Sequence, residues 1–187
     1  RSSLVGSEMC IRDRNKRNWI QKAIKTLVHR GPDFTGEWWS KDNKVGFAHS
    51  RLSIIDLSLS ANQPMHLINK GLSIVYNGEI YNYKNLRKKL EKLGHKFETK
   101  SDTEVILLSY VEWGVDCINY FNGMFAFSIY DSSQKKLFIA RDRAGQKPIF
   151  YHYENDTIYF SSELKALFEN SSLKKKIDID SLDCYFA

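Results

Sequence analysis

Leu72-Ser73-Ile74-Val75-Tyr76-Asn77-Gly78-Glu79-Ile80-Tyr81-Asn82 is an apolar run that ends in a polar Asn-Gly-Glu step. Such a step lets the backbone turn tightly, and it admits a ligand close to a backbone N–H because glycine carries no Cβ. That geometry suits an oxyanion hole. One donor is the side-chain amide of Asn77 and the other the N–H of Gly78, both aimed at a carbonyl oxygen that gathers negative charge. The same dipeptide equally suits a plain hairpin turn. The flanking sequence has to decide.

Upstream, Val45-Gly46-Phe47-Ala48-His49 and Leu52-Ser53-Ile54-Ile55-Asp56 read as two strands with Arg51 projecting from their join, and a polar loop leads to Gln63-Pro64-Met65. Before them, Trp19, Ile20, Ala23, Ile24 and Leu27 fall at helical spacing. They predict one amphipathic helix that ends before His29-Arg30-Gly31-Pro32-Asp33, followed by a glycine-containing turn. Downstream, residues 82–93 carry Tyr83, Leu86, Leu90 and Leu93 on one helical face, and Gly94 is a C-terminal stop. Residues 97–99 read as a short strand. Ser101 can cap a helix with Glu104 three residues on, and Val105, Ile106, Leu108 and Val111 supply its stripe. Asp102 falls in the first turn, where the helix dipole favours a negative charge.

Residues 124–131, 136–141, 148–153 and 157–161 then read as strands joined by short turns, an antiparallel meander. A short helix over 163–168, a charged segment over 173–178 and the start of a further helix at Asp180 complete the chain. Two groups of strands with helices between and after them predict an α+β sandwich of layers and not alternating βαβ units.

With 187 residues, 42% apolar and 13% aromatic, the chain can bury a sizeable core, which excludes disorder and fits one domain or one domain plus the start of another. Its net charge of +6 is spread over helical faces and a Lys174-Lys175-Lys176 run. No aromatic residues interleave a basic stripe, so nucleic acid is not the expected partner. Cys10, Cys117 and Cys184 have no metal-ligand spacing and cannot all pair, which makes a reduced, cytoplasmic compartment the expectation. No apolar run reaches a membrane span and no signal peptide opens the chain. Residues 1–14 show neither strand alternation nor a helical stripe. They resemble the translation of a sequencing adapter, so the native sequence is expected to begin near Asn15.

Seven motifs in order carry a resemblance: His29-Arg30-Gly31-Pro32-Asp33, Arg51-Leu52-Ser53-Ile54-Ile55-Asp56, Asn77-Gly78-Glu79-Ile80-Tyr81-Asn82, Ser101-Asp102-Thr103-Glu104, Gly123-Met124-Phe125-Ala126-Phe127, Arg141-Asp142-Arg143-Ala144-Gly145-Gln146-Lys147-Pro148 and Ser161-Ser162-Glu163-Leu164-Lys165-Ala166-Leu167. Together they resemble the class II glutamine amidotransferase domain of glutamine-hydrolysing asparagine synthetases. The resemblance implies the N-terminal-nucleophile hydrolase fold, a four-layer αββα sandwich of two antiparallel sheets flanked by helices. It also implies that Arg51 pairs with the α-carboxylate of glutamine, for which a planar guanidinium fork is suited. Asp102 would accept hydrogen bonds from the α-ammonium, Glu79 and the backbone of Leu52, Ser53, Ile54 and Ile55 would complete the pocket, and Asn77 and Gly78 would form the oxyanion hole. His29 is given no catalytic role.

In that family the nucleophile is an N-terminal cysteine whose own α-amine shuttles the proton. Here Cys10 follows Met9, but nine residues precede it, no glycine follows, and charge stands where the family has an apolar strand. Cys10 is therefore a doubtful nucleophile, set against loss of the true first strand; Cys117 reads as a small core residue. The resemblance divides the chain into a non-native leader over 1–14, the amidotransferase domain over 15–170, and over 171–187 a linker and the start of a synthetase domain. It implies no cofactor or metal in this domain, and ATP with Mg2+ in the synthetase domain, which receives ammonia and adenylates aspartate. The intact protein would run glutamine + aspartate + ATP to asparagine + glutamate + AMP + pyrophosphate. Glutamine and the synthetase domain are the expected partners, with a homodimer open. Two other readings stand beside it: an amidotransferase for another acceptor, and a catalytically silent glutamine-binding or interaction domain.

Overall fold

Apolar residues on facing strands meet between two sheets, and the helical stripes cover the outer faces. The computed structural model describes residues 3–9, 14–51, 58–171, 173 and 179–186. In chain order these form β1 (Ser3–Met9), α1 (Arg14–Lys25), β2 (Phe34–Trp39), β3 (Val45–Arg51), β4 (Met65–Leu67), β5 (Leu72–Ile80), α2 (Tyr83–Lys92), α3 (Asp102–Trp113), β6 (Gly123–Asp131), β7 (Lys136–Arg141), β8 (Phe150–Glu154), β9 (Thr157–Ser161), α4 (Leu164–Leu167) and α5 (Ile179–Phe186). One sheet has the order β2-β3-β1-β9-β8 and the other β4-β5-β6-β7. All pairings are antiparallel.

Phe47 of β3, Ile74 of β5, Phe127 and Ile129 of β6, Leu90 of α2 and Ile106 of α3 belong to one buried cluster that joins the sheets to α2 and α3. A second cluster packs Trp19, Ile20, Ala23, Ile24 and Leu27 of the first helical region on Ala48, Tyr159, Ala166 and Leu167. Trp19 Nε1 also donates to the Ala166 carbonyl at 3.0 Å, tying α1 to α4. These layers are the expected αββα sandwich. Leu27 is fully buried, and truncating such a side chain to alanine costs about 2–5 kcal/mol, so Leu27→Ala is the change that most directly loosens the α1 layer.

Several elements differ from the sequence reading, each for a local reason. Residues 3–9, which showed no alternation, form β1 between β3 and β9; a strand paired on both sides is held by backbone hydrogen bonds that need no side-chain pattern. Phe34–Trp39, where the glycine predicts a turn, is edge strand β2. Its Gly36 lowers β-propensity, yet a Cβ there would come within 2.1 Å of the Gln63 carbonyl. Short β4 pairs with only the first residues of β5 and was missed too. Arg51 closes β3 rather than projecting from a join between strands. Residues 97–99 form no strand: the N–H groups of Glu98 and Thr99 donate to the Glu104 carboxylate at 2.8 and 2.7 Å, wrapping this segment over the start of α3. The late strands are not one meander, since β7 pairs with β6 in one sheet and β8 with β9 in the other. The cap itself is as expected, Glu104 N–H donating to Ser101 Oγ at 3.3 Å. Among the described residues no helix is long and apolar enough to cross a membrane.

Candidate active site

The Asn77-Gly78 step does not turn. Asn77 pairs with Ala126 and Gly78 with Phe125, both inside the β5–β6 ladder. Two glycines make this possible. A Cβ at Gly78 would lie 2.1 Å from the Met124 carbonyl oxygen, and one at Gly123, at the far end of the pairing, 2.1 Å from that of Glu79. Gly78 also has φ of +155°, which L side chains rarely adopt. A ladder, and not a flexible loop, therefore holds this backbone in place.

Asn77 is fully buried, and neither atom of its side-chain amide finds a hydrogen-bond partner among the described residues. Leaving a buried polar group unpaired costs about 1–3 kcal/mol. Such a group marks a place that another molecule completes.

Three further groups surround β5. Arg51 is buried at the end of β3, its Nη1 donating to Asn62 Oδ1 at 2.5 Å and to the Ser58 carbonyl at 3.1 Å. Asp102 opens α3, and its Oδ2 accepts from the Tyr76 hydroxyl at 2.8 Å and from the Ile80 N–H at 3.1 Å. Burial raises the Asp102 carboxyl above the usual range; these hydrogen bonds oppose the shift and the Glu79 charge adds to it. No Lys, Arg or His forms an ion pair with Asp102 among the described residues. Gln63 stands just before β4, its Oε1 accepting the Tyr76 N–H at 2.7 Å and its Nε2 donating to Thr103 Oγ1 at 3.4 Å.

β3 reaches β5 through His49, two residues before Arg51 on the same face. Its ring is fully buried, and among the described residues neither nitrogen has a side-chain partner. Burial drives its pKa down to about 3; the Tyr76 backbone nearby opposes the shift and the Arg51 charge adds to it. His49 is therefore neutral, wedged between the strand that carries Arg51 and the one that carries Asn77.

Arg51 ends β3, Asn77 and Gly78 lie in β5, and Asp102 opens α3, with β5 packed against both of the others. Glu79 is exposed beside them. Lys147 is close enough that its charge acts with those of Arg30, Glu79 and Asp142; burial is the main cause that lowers its ammonium pKa. Cys10, Leu52, Ser53, Ile54 and Ile55 lie outside the described residues. His29 stands apart at the surface, 3.3 Å from Glu163, which Arg30 and Lys165 also approach at 3.3 and 3.0 Å. Cys117 is buried, and burial pushes its thiol up to about 12, which suits a core residue and not a nucleophile. Among the described residues no three His, Cys, Asp or Glu side chains are grouped to hold a metal. The contacts of His49, Asn62, Gln63 and Tyr76 reach across layers and are not legible in sequence; His49 and Tyr76 stand as polar residues inside the otherwise apolar strands β3 and β5, while Asn62 and Gln63 sit in the segment before β4.

Comparison with known proteins bears on this arrangement. The glutamine amidotransferase domain family matches residues 2–187. The chain is 43% identical over 169 residues to asparagine synthetase [glutamine-hydrolyzing] 3 of Bacillus subtilis, covering 89% of this chain and 27% of that protein. It is 41% identical over 186 residues to putative asparagine synthetase [glutamine-hydrolyzing] 2 of Methanocaldococcus jannaschii, covering 90% of this chain and 36% of that one. The chain thus spans about a quarter to a third of these relatives. Among solved structures, the glutamine phosphoribosylpyrophosphate amidotransferase of B. subtilis, complexed with ADP and GMP, superposes with a TM-score of 0.74 at 20% identity, covering 88% of this chain and 42% of that one. At that identity the likeness speaks for the fold alone.

Proposed function

Since the chain belongs to the glutamine amidotransferase domain family, we propose that it binds glutamine between β3, β5 and α3 and is the glutaminase part of an asparagine synthetase. The observation that carries this reading is Asn77, whose buried amide has no partner among the described residues and stands beside Gly78 on a backbone braced by strand pairing. Arg51 takes the α-carboxylate, since its Nη1 is anchored by Asn62 and Ser58 and a guanidinium binds a carboxylate through parallel hydrogen bonds. Asp102 takes the α-ammonium, which supplies the cation its carboxylate lacks among the described residues.

With the two ends of glutamine held, the side-chain amide reaches Asn77 and Gly78. A cysteine thiol passes its proton to a nearby base and attacks the amide carbon, the base returns that proton to the leaving nitrogen as the C–N bond breaks and ammonia departs, and water hydrolyses the thioester to glutamate and the free thiol. As the tetrahedral intermediate forms, negative charge collects on the amide oxygen and the two donors stabilise it. Loss of one such donor typically costs ~10² to 10³ in rate. Cys10 is the candidate nucleophile of this chain. The parent passes ammonia to an aspartate activated by ATP with Mg2+ in its synthetase part, and it works in the cytoplasm, a reading that the free thiol of Cys117 supports.

Calorimetric titration of the chain with L-glutamine tests the pocket without requiring turnover. Arg51→Ala and Asp102→Ala, each shown to be folded, are expected to lose binding; unchanged affinity in both sinks the assignment. Ammonia release is the companion assay. Turnover that survives Cys10→Ala removes Cys10 from the mechanism.

A further inference from the structure

Tyr76 touches both halves of the pocket, and neither its sequence position nor its apolar surroundings require that. Its hydroxyl donates to Asp102 Oδ2 at 2.8 Å. Its ring lies against the next residue but one on the same face of β5, so that a Cβ on Gly78 would be 3.0 Å from Tyr76 Cε2. The side chain is 2% exposed, its N–H is held by Gln63 at 2.7 Å, and β6 pairs with it at Phe127. It has no freedom to leave.

Both donors that reach Asp102 across the layer, the Tyr76 hydroxyl and the Ile80 N–H, land on the same oxygen, Oδ2. Oδ1 receives neither. Two hydrogen bonds to one oxygen fix the plane of the carboxylate and direct its other oxygen elsewhere, and neutral donors do so without neutralising the charge. A bridging lysine or arginine would have fixed the carboxylate equally well but would have cancelled its attraction for a cation.

We propose that Tyr76 is a positioning residue of the glutamine site: its hydroxyl orients Asp102 toward the substrate's α-ammonium while its ring braces Gly78. The proposal rests on the reading of Asp102 given above. It makes Tyr76 matter for the amino end of the ligand and not for the amide end, provided the ring is kept.

Tyr76→Phe keeps the ring and removes the hydroxyl. The chain and this variant are titrated calorimetrically with L-glutamine and with 4-carbamoylbutanoate, which is glutamine without its amino group, and their melting is followed by circular dichroism. Expected is a loss of about tenfold in affinity for glutamine, the size of one hydrogen bond to a charged group, with affinity for the desamino analogue unchanged. A folded Tyr76→Phe that binds glutamine as the unmodified chain does overturns the proposal. Equal weakening toward both ligands also overturns it, because the residue then acts only as scaffold. Asp102→Asn separates the premise: if it binds glutamine undiminished, or if the unmodified chain does not bind glutamine, the underlying reading of the site has failed and the proposal falls with it. Should Tyr76→Phe not fold, 4-fluorophenylalanine incorporated at position 76, which keeps the ring and fills the place of the hydroxyl without donating a hydrogen bond, carries the same pair of titrations.

Discussion

Lowering the pH should destabilise this domain in part through a single buried imidazole. His49 has an ordinary value of 6.5 and a folded value of about 3, chiefly from burial, with the Arg51 charge in the same direction and the Tyr76 backbone against it. For a base, a depressed folded value means that protons bind the unfolded chain first. The penalty is absent above 6.5 and grows as pH falls toward about 3. Within that window the unfolded state holds one more proton than the folded state, which tilts stability by about 1.4 kcal/mol per pH unit. Across the whole window the loss reaches roughly 4–5 kcal/mol, a large part of the 5–15 kcal/mol typical of a domain. Many carboxylates titrate in the same range, so the measurement is a difference. Urea unfolding at intervals from pH 7.5 to 4.5 is compared for the unmodified chain and His49→Leu. Among the described residues no side-chain partner reaches the His49 ring and the Tyr76 backbone lies near it, so leucine should change stability at pH 7.5 by no more than about 1 kcal/mol. Below pH 6 the two curves should diverge at about 1.4 kcal/mol per unit in favour of the variant. Parallel curves would refute the argument and would mean that His49 is hydrated or protonated in the folded state.

Gly123→Ala should cost several kcal/mol of stability or rearrange the end of β6, because its Cβ would lie 2.1 Å from the Glu79 carbonyl oxygen and 2.9 Å from Ile80 Cα; a melting temperature within a degree or two of the unmodified chain would contradict the close pairing. Asp142 accepts from the N–H groups of Gln146, Lys147 and Phe125 at 2.8, 3.0 and 3.2 Å, and although burial pushes its carboxyl up, these bonds and the Arg141 charge hold it below the usual range. Asp142→Ala should lose about 1–3 kcal/mol and expose the amides of Gln146 and Lys147 to rapid hydrogen exchange; unaltered exchange there would show that the loop holds itself.

Much of the layered fold was legible because it follows from local pattern. The stripe Trp19, Ile20, Ala23, Ile24, Leu27 and the strands β7 and β9 need only their own periodicity, and the Ser101 cap needs only three residues of spacing. What could not be read depends on partners far along the chain. Gly36 looks like a turn until the Gln63 carbonyl is placed against it, and Asn77-Gly78 looks like a corner until β6 brings Gly123 alongside. The same division holds at the site. Arg51, Asn77, Gly78 and Asp102 were singled out by motif, and β5, which carries the middle two, packs against both β3 and α3. Tyr76 and His49 were not found, because a tyrosine and a histidine within apolar strands ordinarily signify packing, and only the contact with Asp102 or the lack of any partner distinguishes them.

The place of β1 carries a lesson about synthesis. It lies between β3 and β9, pairing with Tyr159 and Ile158 near the other end of the chain. A chain emerging from the ribosome can assemble β5, α2, α3, β6 and β7 as soon as they appear, but β1 must wait with one edge open until some 150 residues more have been made. Unpaired edges of that kind invite association with other chains. A pause in translation before β9 should therefore yield aggregates, and one just after it should yield a closed sheet; arrested nascent chains of the two lengths would differ in protease resistance across β1.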